Sequence, residues 1–335
     1  MDSKWVCGTL RHRSLPHAMT ALGDIAPDGS ASLTHNSVPN VEITDAAVEL
    51  PSFFVIGPPR TGTSWLYTVL GKRTNLPGST KETRFYDVHF HRGVKWYQAH
   101  YPVTAAGLRM GEVAPTYFGS ALARERIAKT VPQAAVVCTF RDPVERVLSL
   151  YRVKRAYGHI PWSFEQAILR DPELTNSSKY ATHLSEWQST FGRDRVLAMV
   201  YDDLRDDPQS FVDALADFIG VVRFDLTPVE LERVYASGGL TLPRSYYRTH
   251  SATAMANWLK ARRLHGIVST VKKSRFLKLF LGGGPAFAEL SLEFASKLYE
   301  QFRPEVERLE TLINRDLSAW KTLRSRLNLN ISEIG

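Results

Sequence analysis

Cysteine is nearly missing from this chain: Cys7 and Cys138 are its two thiols in 335 residues. That scarcity excludes a disulfide framework, and Cys138 falls inside the apolar run Ala134 to Phe140, which suits a reducing cytoplasm. Long hydrophobic runs are missing too. No stretch approaches the ~20 apolar residues of a membrane-spanning helix. The first nineteen residues are interrupted by Lys4, Arg11, Arg13 and His17, so they do not read as a signal peptide. A soluble, cytosolic protein is expected. Blocks of like charge are also lacking. Lysine and arginine outnumber acids, 42 against 34, but the surplus of +8 is scattered, which argues against a nucleic-acid stripe. A polyanionic small molecule or an acidic acceptor accounts for the same surplus.

What is present begins with Phe53-Phe54-Val55-Ile56-Gly57-Pro58-Pro59-Arg60-Thr61-Gly62-Thr63-Ser64-Trp65-Leu66. A short apolar run, a turn of glycine and prolines, a second glycine and an apolar-periodic segment read as strand, tight loop and helix. Loop amides and the positive end of a helix dipole together make an anion site, most often for phosphate. The spacing nearly matches a Walker A loop, except that Thr63 stands where the lysine belongs and Arg60 brings the positive charge instead. The ligand is therefore expected to differ from ATP with magnesium.

Residues 1–48 are polar and irregular and read as a flexible leader, with a single folded domain over 49–325. Within it, periodicity predicts helices at Ser64 to Gly71, Val94 to His100, Ala121 to Thr130, Val144 to Tyr157, Tyr180 to Phe191, Pro208 to Gly220 and Leu290 to Asn314. Strands are predicted around Leu108 to Val113, at Ala135 to Phe140 and at Val196 to Tyr201. Asp142 and Pro143 read as N-cap and first residue of a helix. Residues 240–254 read as a long loop. Strands alternating with helices imply an α/β fold, a P-loop-like three-layer α/β/α arrangement on a central parallel sheet.

A second motif, Arg141-Asp142-Pro143-Val144-Glu145-Arg146-Val147-Leu148-Ser149, follows the central strand. Ligands of open α/β sheets bind beyond the carboxyl ends of strands, so this loop shares a crevice with the first. A guanidinium grips phosphate through paired charge-assisted bonds and a serine adds another, making Arg141 and Ser149 a second anion pocket. The plainer alternative is that Arg141 only pairs with Asp142 or Glu145.

Together GPPRTGTSWLY, KETRFYD and RDPVERVLSLY, in that order, resemble the sulfotransferases that use 3'-phosphoadenosine 5'-phosphosulfate (PAPS), above all the heparan-sulfate-type enzymes and their soluble bacterial relatives. The resemblance runs over roughly 50–322 and takes in GEVAPTYF, SKYATHLSEWQSTFG, VLAMVYDDLRDDP and FRPEVERLETLINRDLSAW. It implies that Arg60, Thr61, Gly62, Thr63 and Ser64 hold the 5'-phosphosulfate and that Arg141 and Ser149 hold the 3'-phosphate. Tyr180, Arg248, Thr249 and His250 resemble further nucleotide-contacting segments. Glu82 falls where the family has its catalytic base, and Arg60 and Lys81 can oppose charge on the leaving oxygen. No metal is implied. Two residues depart from the pattern: Arg60 replaces a common lysine, and Arg84 stands where heparan-type enzymes often carry histidine.

Other readings stay open. Glu82 alone is equally a solvated loop acid, and His89 with His91 is either a plain loop or part of a metal site. Tyr86, Trp96 and Tyr117 either stack on a sugar or pack in the core. The basic stretch Lys260 to Lys278 is a solvated face, a peripheral membrane contact or a wall of the acceptor cleft. A carbohydrate or glycolipid acceptor is expected. The rivals are a P-loop kinase and an inactive nucleotide- or glycan-binding module.

Overall fold

In the computed structural model the described residues are 49–102, 107–235, 240–261 and 283–321. The leader expected at 1–48 lies outside them, as does almost all of the basic stretch from Lys260 to Lys278.

Four short strands, β1 (Phe53–Val55), β2 (Gly111–Val113), β3 (Ala135–Phe140) and β4 (Val196–Val200), form a parallel sheet in the order β2-β1-β3-β4. Strand side chains alternate between faces, so each strand feeds two cores. Phe54, Ile56, Val136, Cys138 and Phe140 point to one layer, packed with Tyr86, Tyr97, Tyr117, Phe118, Tyr180 and Trp187. Phe53, Val55, Val113, Val137 and Met199 point to the other. Parallel strands buried on both faces need this continuous apolar character.

The helices in chain order are α1 (Thr63–Leu70), α2 (Gly93–Gln98), α3 (Ala121–Thr130), α4 (Pro143–Ala156), α5 (Phe164–Arg170), α6 (Pro172–Asn176) and α7 (Tyr180–Phe191). They continue with α8 (Tyr201–Asp206), α9 (Pro208–Ile219), α10 (Pro228–Tyr235), α11 (Tyr246–Ala261) and α12 (Leu292–Ile313). α1 and α9 cover the second face through Trp65, Leu66, Val69, Phe211 and Leu215. α7 and α12 cover the first through Leu184, Trp187, Val306 and Leu309. This is the expected three-layer α/β/α arrangement.

One expectation is overturned. The presumed loop at 240–254 is helical from Tyr246 onward. Thr249 is the fully buried residue of α11 among those described, so the helix carries no apolar stripe for periodicity to detect. It is held instead by polar contacts to the end of α4: His250 Nδ1 lies 2.9 Å from the Gly158 carbonyl, and Thr253 donates to the Tyr157 carbonyl at 2.8 Å.

Candidate active site

The chain leaves β1 through Gly57, which is pressed against β3. A Cβ at Gly57 would stand 2.1 Å from Thr139 Oγ1 and 2.5 Å from its backbone nitrogen, so only glycine fits. Thr61 Oγ1 donates to the Pro58 carbonyl at 2.8 Å and sits 2.6 Å from Thr139 Oγ1, stitching the loop to the sheet. Arg60 and Gly62 both take positive φ, 79° and 90°. For arginine that left-handed conformation costs about 1–3 kcal/mol, which the surrounding loop must offset. The turn delivers the chain to α1, whose N-cap is Gly62. No side chain caps α1 and no acid stands in its first turn, so its amides and its dipole face outward for an anion. α4 is the contrast: Asp142 Oδ1 accepts from the amides of Val144 and Glu145 at 2.9 and 3.0 Å, so its own carboxylate fills the equivalent place. The other Asp142 oxygen accepts from the Tyr299 hydroxyl of α12 at 2.9 Å.

Cations gather on the uncapped end of α1. Lys81 Nζ lies 3.3 Å from Thr63 Oγ1, 3.3 Å from Ser64 Oγ and 3.2 Å from Glu82 Oε1. An ammonium lacking from the loop thus returns to it from a later segment. Burial lowers the Lys81 pKa, with Glu82 opposing and Arg60 reinforcing the shift. Arg60 Nε donates to Ser149 Oγ at 2.9 Å across the crevice. Its pKa is lowered by burial and then by the like charge of Arg141. The crowding of like charge that lowers Arg60 and Lys81 is the kind that a bound polyanion relieves.

Arg141 is engaged through Nε and Nη2 with Glu145 Oε2, at 3.1 and 2.9 Å, and lies 4.9 Å from the centre of the Tyr201 ring. The Glu145 partner named in the plainer alternative is therefore present. A phosphate entering the pocket must compete with Glu145 for the guanidinium. Tyr180 is fully buried, and its hydroxyl donates to the Arg141 carbonyl at 2.9 Å, supporting the pocket from beneath. Thr249 is buried on α11, with Arg248 and His250 exposed beside it.

Glu82 is partly exposed beside Lys81, and the next residue is anchored. Thr83 bonds through its N–H and its hydroxyl to Glu112, a fully buried acid on β2. Of the aromatic residues considered for sugar stacking, Tyr86 and Tyr117 are core residues with no exposure, while Trp96 lies between Arg92, His89 and His100. Among the described residues no group of three histidine, cysteine or acidic side chains is arranged to hold a metal ion.

Sequence reasoning missed three contributors. Arg146 is fully buried and donates to Ser178 Oγ and the Leu174 carbonyl, at 2.6 Å each from Nη2, with Nη1 3.5 Å from the Pro59 carbonyl of the loop. Tyr201 and Glu112 are the others. Arg146 lies within α4, Tyr201 directly after β4 and Glu112 within β2, and only contacts from distant segments reveal their tasks.

A cradle of uncapped amides, with cations and a carboxylate beside it, is suited to receive an anion. The family model described as "Sulfotransferase domain" matches residues 50–234, and the chain belongs to that family. Sulfotransferases draw their sulfuryl group from PAPS, and membership of this family favours that chemistry over the kinase alternative. Among curated relatives, the bifunctional heparan sulfate N-deacetylase/N-sulfotransferase 1 of Mus musculus is 29% identical over 195 residues, covering 51% of this chain and 22% of the relative. The human N-deacetylase/N-sulfotransferase 3 is 29% identical over 196 residues, again covering 22% of that protein. The chain thus spans about a fifth of the length of these relatives. A sulfotransferase structure from Alicyclobacillus acidocaldarius superposes with a TM-score of 0.59 at 20% identity, covering 82% of this chain and 99% of that one, and shares the fold.

Proposed function

We propose that this enzyme transfers the sulfuryl group of PAPS to a hydroxyl of a carbohydrate or glycolipid acceptor, with Glu82 as general base. An amine acceptor is the less favoured variant, and the N-sulfotransferase relatives keep it in view. The observation that carries the reading is the seat of Lys81 and Glu82, with the lysine within 3.3 Å of the hydroxyls of Thr63 and Ser64. The base, a cation and the anion loop share one edge.

In this reading Arg60, Thr61, Gly62, Thr63 and Ser64 hold the 5'-phosphosulfate on the α1 amides. Arg141, released from Glu145, holds the 3'-phosphate together with Ser149. Tyr180, Thr249, Arg248 and His250 form the floor and rim on the α4 side. In-line sulfuryl transfer has a loose transition state, so positioning and charge stabilisation dominate, as in phosphoryl transfer. Glu82 takes the acceptor proton while the S–O bond to the departing phosphate breaks. The charge left on that oxygen is opposed by Lys81 and Arg60. A cytoplasmic setting fits the free, buried thiol of Cys138. Among the described residues no helix is long and apolar enough to cross a membrane.

The test uses labelled PAPS and a panel of unsulfated oligosaccharides, glycolipids and amino sugars, read by the mass added. Glu82→Gln is expected to lower transfer about a hundredfold or more while nucleotide affinity stays near wild type. Transfer that survives this substitution places the base elsewhere. Activity lost completely on chelation of divalent metals would count against the reading as a whole.

A further inference from the structure

Beneath Lys81 and Glu82 lies a carboxylate that touches no reacting atom. Glu112 sits in the middle of β2, opposite Phe54 of β1, and is completely buried. Its Oε1 accepts the Thr83 N–H at 3.0 Å and the Thr83 hydroxyl at 2.6 Å, and its Oε2 accepts the Tyr97 hydroxyl at 2.6 Å. The Tyr117 hydroxyl reaches both oxygens, at 3.3 and 3.2 Å. A second ring of bonds holds these donors: Tyr101 donates to the Tyr97 hydroxyl at 2.9 Å, the Tyr86 N–H to the Tyr117 hydroxyl at 3.2 Å, and the Phe85 N–H to Thr83 Oγ1 at 3.1 Å. Among the described residues no lysine, arginine or histidine pairs with Glu112.

A buried carboxylate without a counter-ion is a costly way to fill space. Its hydrogen bonds show what it holds. Thr83 is the residue after Glu82, and Arg84, next in line, takes a left-handed φ of 54° before the chain winds into a π-helical turn over Phe85–His89. Such wide turns recur at functional sites, and this one needs a firm anchor at its start.

We propose that Glu112 is a positioning residue for sulfuryl transfer: by gripping both the amide and the hydroxyl of Thr83, it fixes the direction in which Glu82 and Lys81 leave the chain toward Thr63 and Ser64. The inference rests on the reading of Glu82 as base. An ionised carboxylate can accept from all four donors at once; a protonated one cannot, since one oxygen must donate. The groups facing it are the hydroxyls of Thr83, Tyr97 and Tyr117, with Tyr86 and Tyr101 behind them and Asp87 bearing on Tyr117, none of them cationic. Burial pushes the Glu112 carboxyl up to about 7, against the pull of its hydrogen bonds. Its charge, and with it the full grip on Thr83, is present above neutral pH and lost as pH falls.

The experiment follows release of 3'-phosphoadenosine 5'-phosphate (PAP) from PAPS between pH 5.5 and 8.5, with water as the sulfuryl acceptor, in wild type, Glu112→Gln, Thr83→Val and Thr83→Ser. PAP affinity and amide exchange of the 80–86 segment are measured alongside. Glu112→Gln is expected to lower turnover at pH 8 about tenfold with PAP affinity within threefold of wild type, and to remove the fall in rate near pH 7. Thr83→Val should lose several-fold, and Thr83→Ser should recover most of that loss. Wild-type rates and pH profiles in both Glu112→Gln and Thr83→Val overturn the proposal. If Glu112→Gln does not fold, the Thr83 pair decides it. If Glu82→Gln keeps its turnover, the base reading fails by itself. Unchanged exchange protection of the segment in Glu112→Gln would then show separately that the grip is absent.

Discussion

Replacing Glu112 by glutamine removes a charge from the middle of a core while keeping the shape of the side chain. The wild-type carboxyl rises from 4.5 to about 7 because burial penalises its ionised form. The folded state therefore binds a proton that the unfolded state has already released between these two values. The sign follows: the contribution of this group to stability is fully present below pH 4.5 and is lost as pH rises through 7. At about 1.4 kcal/mol per pKa unit, the full cost is roughly 3 kcal/mol, most of which develops between pH 5 and pH 8. Glutamine does not titrate. In denaturant unfolding of both proteins at the two pH values, the difference between variant and wild type should shift by that amount in favour of the variant at pH 8. Comparing differences cancels other titrating groups and the constant change in hydrogen bonding. A difference unchanged within about 0.5 kcal/mol would mean that the pocket does not resist the charge, and the burial argument would be wrong. The charge that the enzyme is proposed to use above neutral pH is thus one the fold resists, a stability–activity trade-off at one carboxyl.

Other outcomes are equally open to measurement. Arg141→Ala should weaken binding of PAP by about ten- to a hundredfold and scarcely change binding of a nucleotide lacking the 3'-phosphate, in titration calorimetry; equal losses for both would sink the pocket assignment. Gly57→Ala forces a methyl into the backbone of Thr139 and should cost more than about 3 kcal/mol, read as aggregation or a large fall in melting temperature. Glu230 accepts from Lys72 and from Arg73, at 2.9 Å each, and from Thr227, and its carboxyl is held well below the usual range, chiefly by Arg73. Its stabilisation is present above the unfolded carboxyl value and is lost as pH falls below it. Glu230→Gln should thus cost about 2 kcal/mol at pH 7 and flatten the acid limb of unfolding.

The parts legible in the sequence were those whose physics is local. β3 declares itself by six consecutive apolar or β-branched residues, and α4 by an acid and a proline at its start. The first loop is legible because glycines at fixed offsets have few other uses. α5 also carried a local signal, since Ser163 and Gln166 form a capping box, but its short apolar face did not stand out. α6 and α10 begin with proline and were hidden among loop residues. The polar helix α11 has its reasons elsewhere in the chain, at Tyr157 and Gly158. Glu112 shows the limit most clearly. An acid in a strand normally reads as solvent-facing, and the four donors that make this one tolerable come from Thr83, Tyr97 and Tyr117. No window of neighbouring residues contains them.

The hydrogen bond from Tyr299 to Asp142 joins the final helix to the residue that starts α4, directly after Arg141. A chain emerging from the ribosome carries both anion loops long before it carries Tyr299, which follows Asp142 by 157 residues. Until α12 arrives, Asp142 lacks this donor, and Val144 and Val147 lack the cover of Leu298 and Phe302. The start of α4 is thereby completed late in biosynthesis, and a chain terminated before α12 would carry the Arg141-Asp142-Pro143 segment without the packing that finishes it.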